Sequence, residues 1–354
     1  KYKKKLTSIF HGPGTIGGIG YHLAKWQKEK GYQSNCIVYH DDGNRQLYDI
    51  NLKLNKLNKI KKLKNKIKLL CEVIKDYDLI HFCSVDTFLP FNIDLPLLKL
   101  FRKKLVMTFC GTDIRLRSIH SGRNMYTHLY PYKKFHSDLF IKLRMIWCNL
   151  FINKFFAIRG LLTYARTCIP NSKIANRPWI NNIGFNTNSK YYKEPEPYQP
   201  EIIKIIHAPS NPEVKGTSYI RKEIKNLKEI GFRIEYFELI GIPNKEVQEI
   251  ISNSDIVIDQ VLLGEIGTLC FEGMGLGKPV IAYLPNKIKE EFFPDCPIYN
   301  SNIDNLKFRI IELIQNAKLR YELGIAGRNF VLKNLSYQKV QEGVLEEYKK
   351  LGYI

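Results

Sequence analysis

Metal-ligand spacing is missing from this sequence. Its eight cysteines, at Cys36, Cys71, Cys83, Cys110, Cys148, Cys168, Cys270 and Cys296, include no Cys-x-x-Cys pair, and no histidines cluster at ligand spacing. That argues against zinc ribbons and dithiol redox centres and leaves reduced, structural thiols of a cytosolic protein as the expectation. A long apolar run is missing too: the most hydrophobic stretch, 139–158, is broken by Lys142, Arg144 and Lys154, far short of a transmembrane span. Lys1 to Lys5 is basic, but Leu6 to Phe10 is too short for a signal-peptide core and reads as a first strand. Internal repeats of solenoid length are also absent.

Acidic residues are scarce in one half only. Residues 1–190 hold 34 Lys and Arg against 11 Asp and Glu, a balance of +23, whereas residues 191–354 carry −2. A basic lobe beside a neutral one calls for an anionic partner on one side: a membrane surface, a nucleic acid or a phosphorylated acceptor. At 354 residues, with 44 % hydrophobic and 25 % charged residues, the chain suits two globular domains and gives no compositional case for disorder.

Short apolar strands alternate with helical stretches, the pattern of parallel sheets wrapped by helices. Strands are expected at 6–10, 35–40, 78–83, 104–110 and 160–165. After the stretch Lys193-Glu-Pro-Glu-Pro-Tyr-Gln-Pro200 the pattern resumes, with strands at 202–207, 233–238, 254–259 and 279–284 and a helical end from about Asn302 to Tyr348. The expected division is residues 1–190, a stiff linker at 191–201, a second domain at 202–335, and a final helix, 336–354, returning to the first domain.

Two segments of the basic half depart from a plain core pattern. Across 53–70 apolar residues keep a helical stripe while lysines fill the other faces, and 139–158 combines Trp147 and several phenylalanines with spaced cations. Each reads either as an ordinary surface or packed helix, or as a helix lying in the headgroup layer of an anionic membrane.

Four segments could carry chemistry. His11-Gly-Pro-Gly-Thr-Ile-Gly-Gly-Ile-Gly20 follows the first strand, and its glycines, Gly17 and Gly18 among them, would let backbone amides approach an anion. Thr108-Phe-Cys-Gly-Thr-Asp-Ile-Arg115 sits at the carboxyl end of a strand, where open α/β sheets bind ligands; Cys110, Gly111, Asp113 and Arg115 are its candidates, with helix capping as the alternative role of Asp113. His207 to Thr217 places Ser210, Asn211, Lys215 and Gly216 at another strand end, where the ammonium could clamp a phosphate unless it is a plain exposed lysine. Asp259 to Val280 is the most specific: a loop bounded by Gly264 and Gly267 carries Glu265 and opens a helix beginning near Thr268, with Glu272 placed to accept ribose hydroxyls.

In their order along the chain these segments, with Asp78-Leu-Ile-His81, Val214-Lys-Gly-Thr217, Phe271 to Val280 and Leu323-Gly-Ile-Ala-Gly-Arg328, resemble the retaining glycosyltransferases of family 4. The resemblance is to the surface-polysaccharide type and runs from about Leu6 to the end. It implies a GT-B fold, two Rossmann-like domains facing each other across a cleft, the second holding a nucleotide sugar and the first the acceptor. It further implies that Gly17 and Gly18 face the diphosphate, Lys215 holds it, Gly267 and Thr268 offer amides, Glu272 takes the ribose and backbone near Gly241 reads the base. Catalysis would involve Asp113, Lys215 and Glu265 without metal or cofactor. The sequence departs from the family where Cys110 replaces a usual histidine, where Gly264 replaces the first of two glutamates spaced eight apart, and where Pro209, Ser210 and Pro212 occupy the places of a companion arginine.

The expected function is transfer of a sugar to a lipid-linked or cell-surface polysaccharide acceptor by a cytoplasmic protein peripherally bound to the inner membrane face through 53–70 and 139–158. The alternatives are a non-catalytic GT-B subunit partnering an active enzyme, a glycosyltransferase acting on nucleic acid, an unfavoured partner that rests on the charge alone, and other GT-B enzymes such as epimerases or phosphorylases.

Overall fold

In a computed structural model the chain forms two compact units, Lys1–Leu116 with Lys134–Gly184 and Gln338–Ile354, and Arg117–Lys133 with Phe185–Tyr337. The structure describes residues 7–14, 18–40, 47–111, 113–129, 137–157, 161–175, 185–186 and 188–352.

The first unit contains β1 (Ser8–Gly12), α1 (Ile19–Glu29), β2 (Gln33–Val38), β3 (Ile50–Asn51), α2 (Lys59–Asp76), β4 (Leu79–Phe82), α3 (Leu95–Leu100) and β5 (Lys104–Phe109). Next in the chain comes α4 (Arg117–Arg123), which belongs to the second unit, and then α5 (Asp138–Phe151), β6 (Lys154–Ala157) and α6 (Leu162–Cys168) complete this stretch of the first. The strands pair in parallel in the order β3-β2-β1-β4-β5-β6, the arrangement of a doubly wound dinucleotide-type sheet. Strands buried on both faces need near-continuous apolar runs, and Leu79, Ile80, Val106 and Phe156 supply them.

The second unit adds β7 (Ile203–His207), α7 (Pro212–Lys215), α8 (Thr217–Glu229), β8 (Ile234–Glu238), α9 (Asn244–Ser252), β9 (Ile256–Ile258) and α10 (Thr268–Gly275). Following these are β10 (Val280–Ala282), α11 (Asn286–Phe292), β11 (Tyr299–Asn300), α12 (Leu306–Gln315) and α13 (Ala317–Asn334). Its parallel sheet runs β11-β10-β9-β7-β8, so the order reverses between β7 and β9. Ligands of open α/β sheets bind outside the carboxyl ends of the strands at such a reversal.

The last helix, α14 (Tyr337–Lys350), enters the core of the first unit. Val344 and Tyr348 pack there with Ile9, Leu79 and Phe156, and the Tyr348 hydroxyl lies 2.6 Å from His81 Nδ1. Arg117–Lys133 makes the opposite excursion, which the sequence-based division did not contain. Tyr126 joins the second core, its hydroxyl bonds Asp304, and buried Asn124 donates to the carbonyls of Leu262 and Leu263 at 2.7 and 3.1 Å. The proline-rich stretch is tied to the second unit: Arg320 donates to the Tyr198 carbonyl at 2.7 Å and Gln199 to that of Ile314 at 3.1 Å.

The glycines near the end of the chain have a packing reason. A Cβ at Gly324 would overlap the carbonyl oxygen of Gly277, and one at Gly327 would press on Met274 at 3.0 Å, so α13 can lie close against α10 only without side chains there. Arg328 then reaches the Gly275 carbonyl at 2.5 Å.

Three local expectations are corrected. Within the strand expected at 160–165 the described residues enter helix α6, and the sixth strand is Lys154–Ala157, because Phe155 and Phe156 fill the sheet interior. That same strand removes the end of the 139–158 helix, which stops at Phe151. Trp147, which only the membrane-lying reading placed outward, is half-buried and donates its indole N–H to the Asn92 carbonyl at 3.0 Å. In 53–70 the α-helix begins only at Lys59, capped by Asn58, and Leu69 and Leu70 are packed inward.

Candidate functional site

The reversal point of the second sheet is where the chemistry-bearing residues of that unit gather. β7 ends at His207, and the chain turns through Ser210, which is exposed, to Asn211, whose side chain accepts from the Val214 amide at 3.2 Å and starts the short helix α7. The helix ends at Gly216 with φ +76°, a left-handed conformation; a Cβ there would also lie 2.7 Å from Val261. This tight turn aims Lys215 back across the strand ends.

Lys215 is not the exposed lysine of the simplest expectation. It is 9 % exposed, and its Nζ lies 2.6 Å from Oδ1 of fully buried Asp259, the residue directly after β9. Oδ2 of the same carboxylate accepts from the Gly267 amide at 3.2 Å and from the Cys270 thiol at 3.0 Å. Gly267 is the N-cap of α10, and a Cβ on it would overlap Asp259 Oδ2 and come within 2.6 Å of Lys215 Nζ. One ammonium and the start of one helix thus converge on a single point. Asp259 was not among the sequence candidates; its only signal was an acid directly after an Ile-Val-Ile strand.

Supporting groups hold this cluster. His207 contacts the Ile258 carbonyl and the Thr217 hydroxyl, each at 2.8 Å. A carbonyl can only accept, so Nδ1 carries the proton and Nε2 accepts from Thr217. Burial lowers the His207 pKa, in keeping with this neutral form. Gln260 accepts from the amides of Leu263 and Gly264 at 2.7 and 3.2 Å and donates to the Glu265 carbonyl at 2.9 Å, which fixes the loop between Asp259 and Gly267.

Gly264 stands at φ +71°, at the place where the family that the sequence resembles has its first glutamate. A Cβ would stand 3.0 Å from Asn124 Nδ2 and 3.2 Å from Pro285, so a side chain there would meet both strain and crowding. Glu265 is buried in the same loop, Thr268 opens α10, and Glu272 lies one turn further on. Glu272 is buried and accepts from Asn244 Nδ2 at 2.8 Å. Asn244 starts α9, three residues past exposed Gly241, which links the turn expected to read a base to the carboxylate expected to read a ribose.

The first unit carries the remaining candidates. Gly17 lies outside the described residues, and Gly18 caps α1 with φ +72°. After β5 the Asp113 carboxylate turns back on its own loop, accepting from Gly111 N at 2.8 Å and Cys110 N at 3.1 Å. Burial raises its pKa, opposed by those amides and by the charge of buried Arg115. The Cys110 thiol, pushed well up by burial, donates to the Cys83 carbonyl at 3.4 Å.

His11 and His81 stand with ring centroids 5.2 Å apart in this unit. His11 bonds Gln27 at 2.8 Å, and burial lowers its pKa from 6.5 to about 4. His81, bonded to Thr108 at 2.7 Å and to Tyr348, is lowered for the same reason. The unfolded chain binds a proton on such groups that the folded chain refuses, so stability is full above the unfolded pKa of 6.5 and falls as the pH drops toward 4. For His11 alone the loss at pH 5 is about 2 kcal/mol. Urea midpoints at pH 7.5 and 5 check this, and an unchanged midpoint would refute it.

No protein-family profile matches the chain. Over 141 residues it is 28 % identical to an uncharacterized glycosyltransferase of Methanocaldococcus jannaschii, a stretch covering 39 % of this chain and 40 % of that protein. Likeness over the whole chain comes from solved structures. Sucrose-phosphate synthase from Thermosynechococcus elongatus superposes with a TM-score of 0.65 at 12 % identity, covering 98 % of this chain and 99 % of that one. HepE of Anabaena, in complex with UDP and glucose, gives 0.65 at 12 % identity over 98 % of this chain and 100 % of its own. At that identity the likeness establishes the fold, an α/β chain of two parallel-sheet Rossmann-like domains matching GT-B glycosyltransferase structures.

Proposed function

We propose that this chain is a retaining glycosyltransferase of the family 4, surface-polysaccharide type, which moves a sugar from a nucleoside-diphosphate donor to a lipid-linked or cell-surface glycan. The observation that carries the reading is the convergence of Lys215 and the start of α10 at the reversal point of the second sheet, with Glu272 one turn along that helix and bonded by Asn244. The name of the Methanocaldococcus relative and the UDP and glucose held by HepE point the same way.

In this reading the diphosphate lies against the Lys215 hydrogens that Asp259 does not take and the amide of Thr268, the Gly267 amide being held by Asp259, and Glu272 accepts the ribose hydroxyls. As the glycosidic bond breaks through an oxocarbenium-like state, negative charge grows on the leaving diphosphate, where an ammonium and helix-start amides stabilise it most. That supplies the charge stabilisation without a metal or cofactor. Glu265 serves the donor sugar and Asp113 the acceptor side, the latter by holding the Cys110-Gly111 turn in shape.

Attachment to an anionic membrane, at its inner face, belongs to the same proposal. Among the lysines of α2, Ile60 is 82 % exposed, with Leu63 and Ile67 also exposed, and α5 presents Leu139, Leu143, Ile146 and Leu150 along one face. Phe91, Ile93 and Leu100 add to the exposed apolar surface of this unit, whose cations would meet headgroups. None of the described helices is long and apolar enough to cross a membrane.

Thermal unfolding against a panel of nucleoside diphosphates tests the reading. One of them is expected to stabilise the chain, by about 2.7 kcal/mol at 100 times its Kd, and the matching nucleotide sugar to be slowly hydrolysed. A panel without any shift would sink it. Binding without turnover would favour a non-catalytic partner subunit, and salt-sensitive binding to DNA with indifference to anionic vesicles would favour a nucleic acid acceptor.

A further inference from the structure

A cavity opens within the second unit, at the carboxyl ends of β10 and β11, with a volume of about 610 Å³. It is large enough for a sugar-sized ligand and is separate from the Lys215 cluster. Its walls come from the start of α11, the turn after β11, the first turn of α12 and the excursion Arg117–Lys133.

The chemistry of the walls is one-sided. Arg123, Lys287 and Arg309 line the cavity and no carboxylate does among the described residues. Arg123 reaches Glu291 at 2.8 Å and Arg309 reaches Glu312 at 3.1 Å, both outside the lining, while Lys287 is exposed and has no ion pair among the described residues.

Two of the side-chain amides in the lining, those of Asn302 and Asn305, are turned the same way. Asn302 Oδ1 accepts from the backbone of Asp304 and Asn305 at 3.0 and 3.2 Å, and Asn305 Oδ1 accepts from Asn302 N and the Ser301 hydroxyl, both at 3.0 Å. With both oxygens engaged in the turn, the groups left to a ligand are the NH2 donors of Asn302 and Asn305, which have no partner among the described residues. A wall of donors and cations fits acceptor oxygens carrying negative charge. Met125, 64 % exposed at the rim, adds an apolar surface of the kind a sugar ring covers.

We infer that this cavity is a binding site for a monosaccharide unit bearing an oxyanion, a phosphate or a carboxylate, distinct from the nucleotide site. It abuts the donor loop through Asn124 and Pro285, which line it and also crowd Gly264.

Isothermal titration of the full chain with glucose 6-phosphate, glucuronate, glucose and inorganic phosphate tests the site. Glucose 6-phosphate or glucuronate is expected to saturate it, and which of the two binds tighter identifies the oxyanion. The double variant Lys287→Gln with Arg309→Gln should weaken that binding by about tenfold or more, since charge-assisted contacts are lost. Met125→Trp, which narrows the mouth, should weaken it independently, and Glu272→Ala should leave it unchanged. Both rim changes are at the surface, and thermal midpoints confirm folding. Equal binding of neutral glucose, equal binding of bare phosphate, retention by the double variant, loss in Glu272→Ala, or no saturable binding by either acidic sugar would each overturn the inference.

Discussion

Replacing Lys215 with alanine is expected to lower kcat/KM for the nucleotide sugar by about 10- to 1,000-fold, the range for removing a charged donor from a developing anion. The loss should fall mainly on kcat, because the ammonium matters most once the diphosphate carries the negative charge of the broken bond. The variant has a second consequence. Asp259 is fully buried and Lys215 Nζ is 2.6 Å from it, so the alanine leaves a buried carboxylate with only the Gly267 amide and the Cys270 thiol. Breaking one side of such a pair costs about 3–5 kcal/mol. Lys215→Met combined with Asp259→Asn removes both charges and should recover most of that stability without recovering turnover. Release of nucleoside diphosphate, measured beside thermal midpoints, separates the two effects. Wild-type turnover in the double variant would remove Lys215 from the reaction.

Glu272→Ala is the second large effect, expected at about 10- to 1,000-fold in kcat/KM but divided differently. A carboxylate gripping ribose hydroxyls holds the nucleotide equally in the ground and transition states, so KM should rise more than kcat falls. Glu272→Gln keeps an oxygen for Asn244, now 2.8 Å away, and should lie between alanine and wild type. Direct titration with the nucleoside diphosphate identified by thermal unfolding gives the matching loss in affinity. Unchanged affinity in Glu272→Ala would take the ribose role from this residue.

Much of the fold was legible because parallel strands buried on both faces leave a local mark. Ile205 and Ile206 in β7, and Ile256 to Ile258 in β9, are runs that few other structures tolerate. The mark failed at 160–165, where Leu161, Leu162 and Ala165 are as apolar as a strand but pack as one side of α6. It failed again at the two-residue strands β3 and β11, too short to show any period.

The candidate site was legible in part. Residue type and strand-end position left Lys215 open between a clamp and a plain exposed lysine, the resemblance chose the clamp and named Gly267 beside it, and the two residues do meet, on Asp259. Their meeting point was not found, because Asp259 lies 44 residues from Lys215 and nothing local pairs them. Asn244 escaped notice for the same reason, standing 28 residues from Glu272.

By itself the amino-acid order settled the class of fold, the unequal distribution of charge and the strand ends at which ligands could sit, since each depends on neighbours within a turn or a strand. Only the tertiary structure decided that Lys215 is buried against a carboxylate, that Asn124 crowds position 264, and that 117–133 and 338–354 each pack with the unit they do not adjoin in sequence. Those outcomes depend on which distant surfaces bury each other's polar groups, and a buried ammonium or amide takes whatever partner the packed chain brings within hydrogen-bond reach.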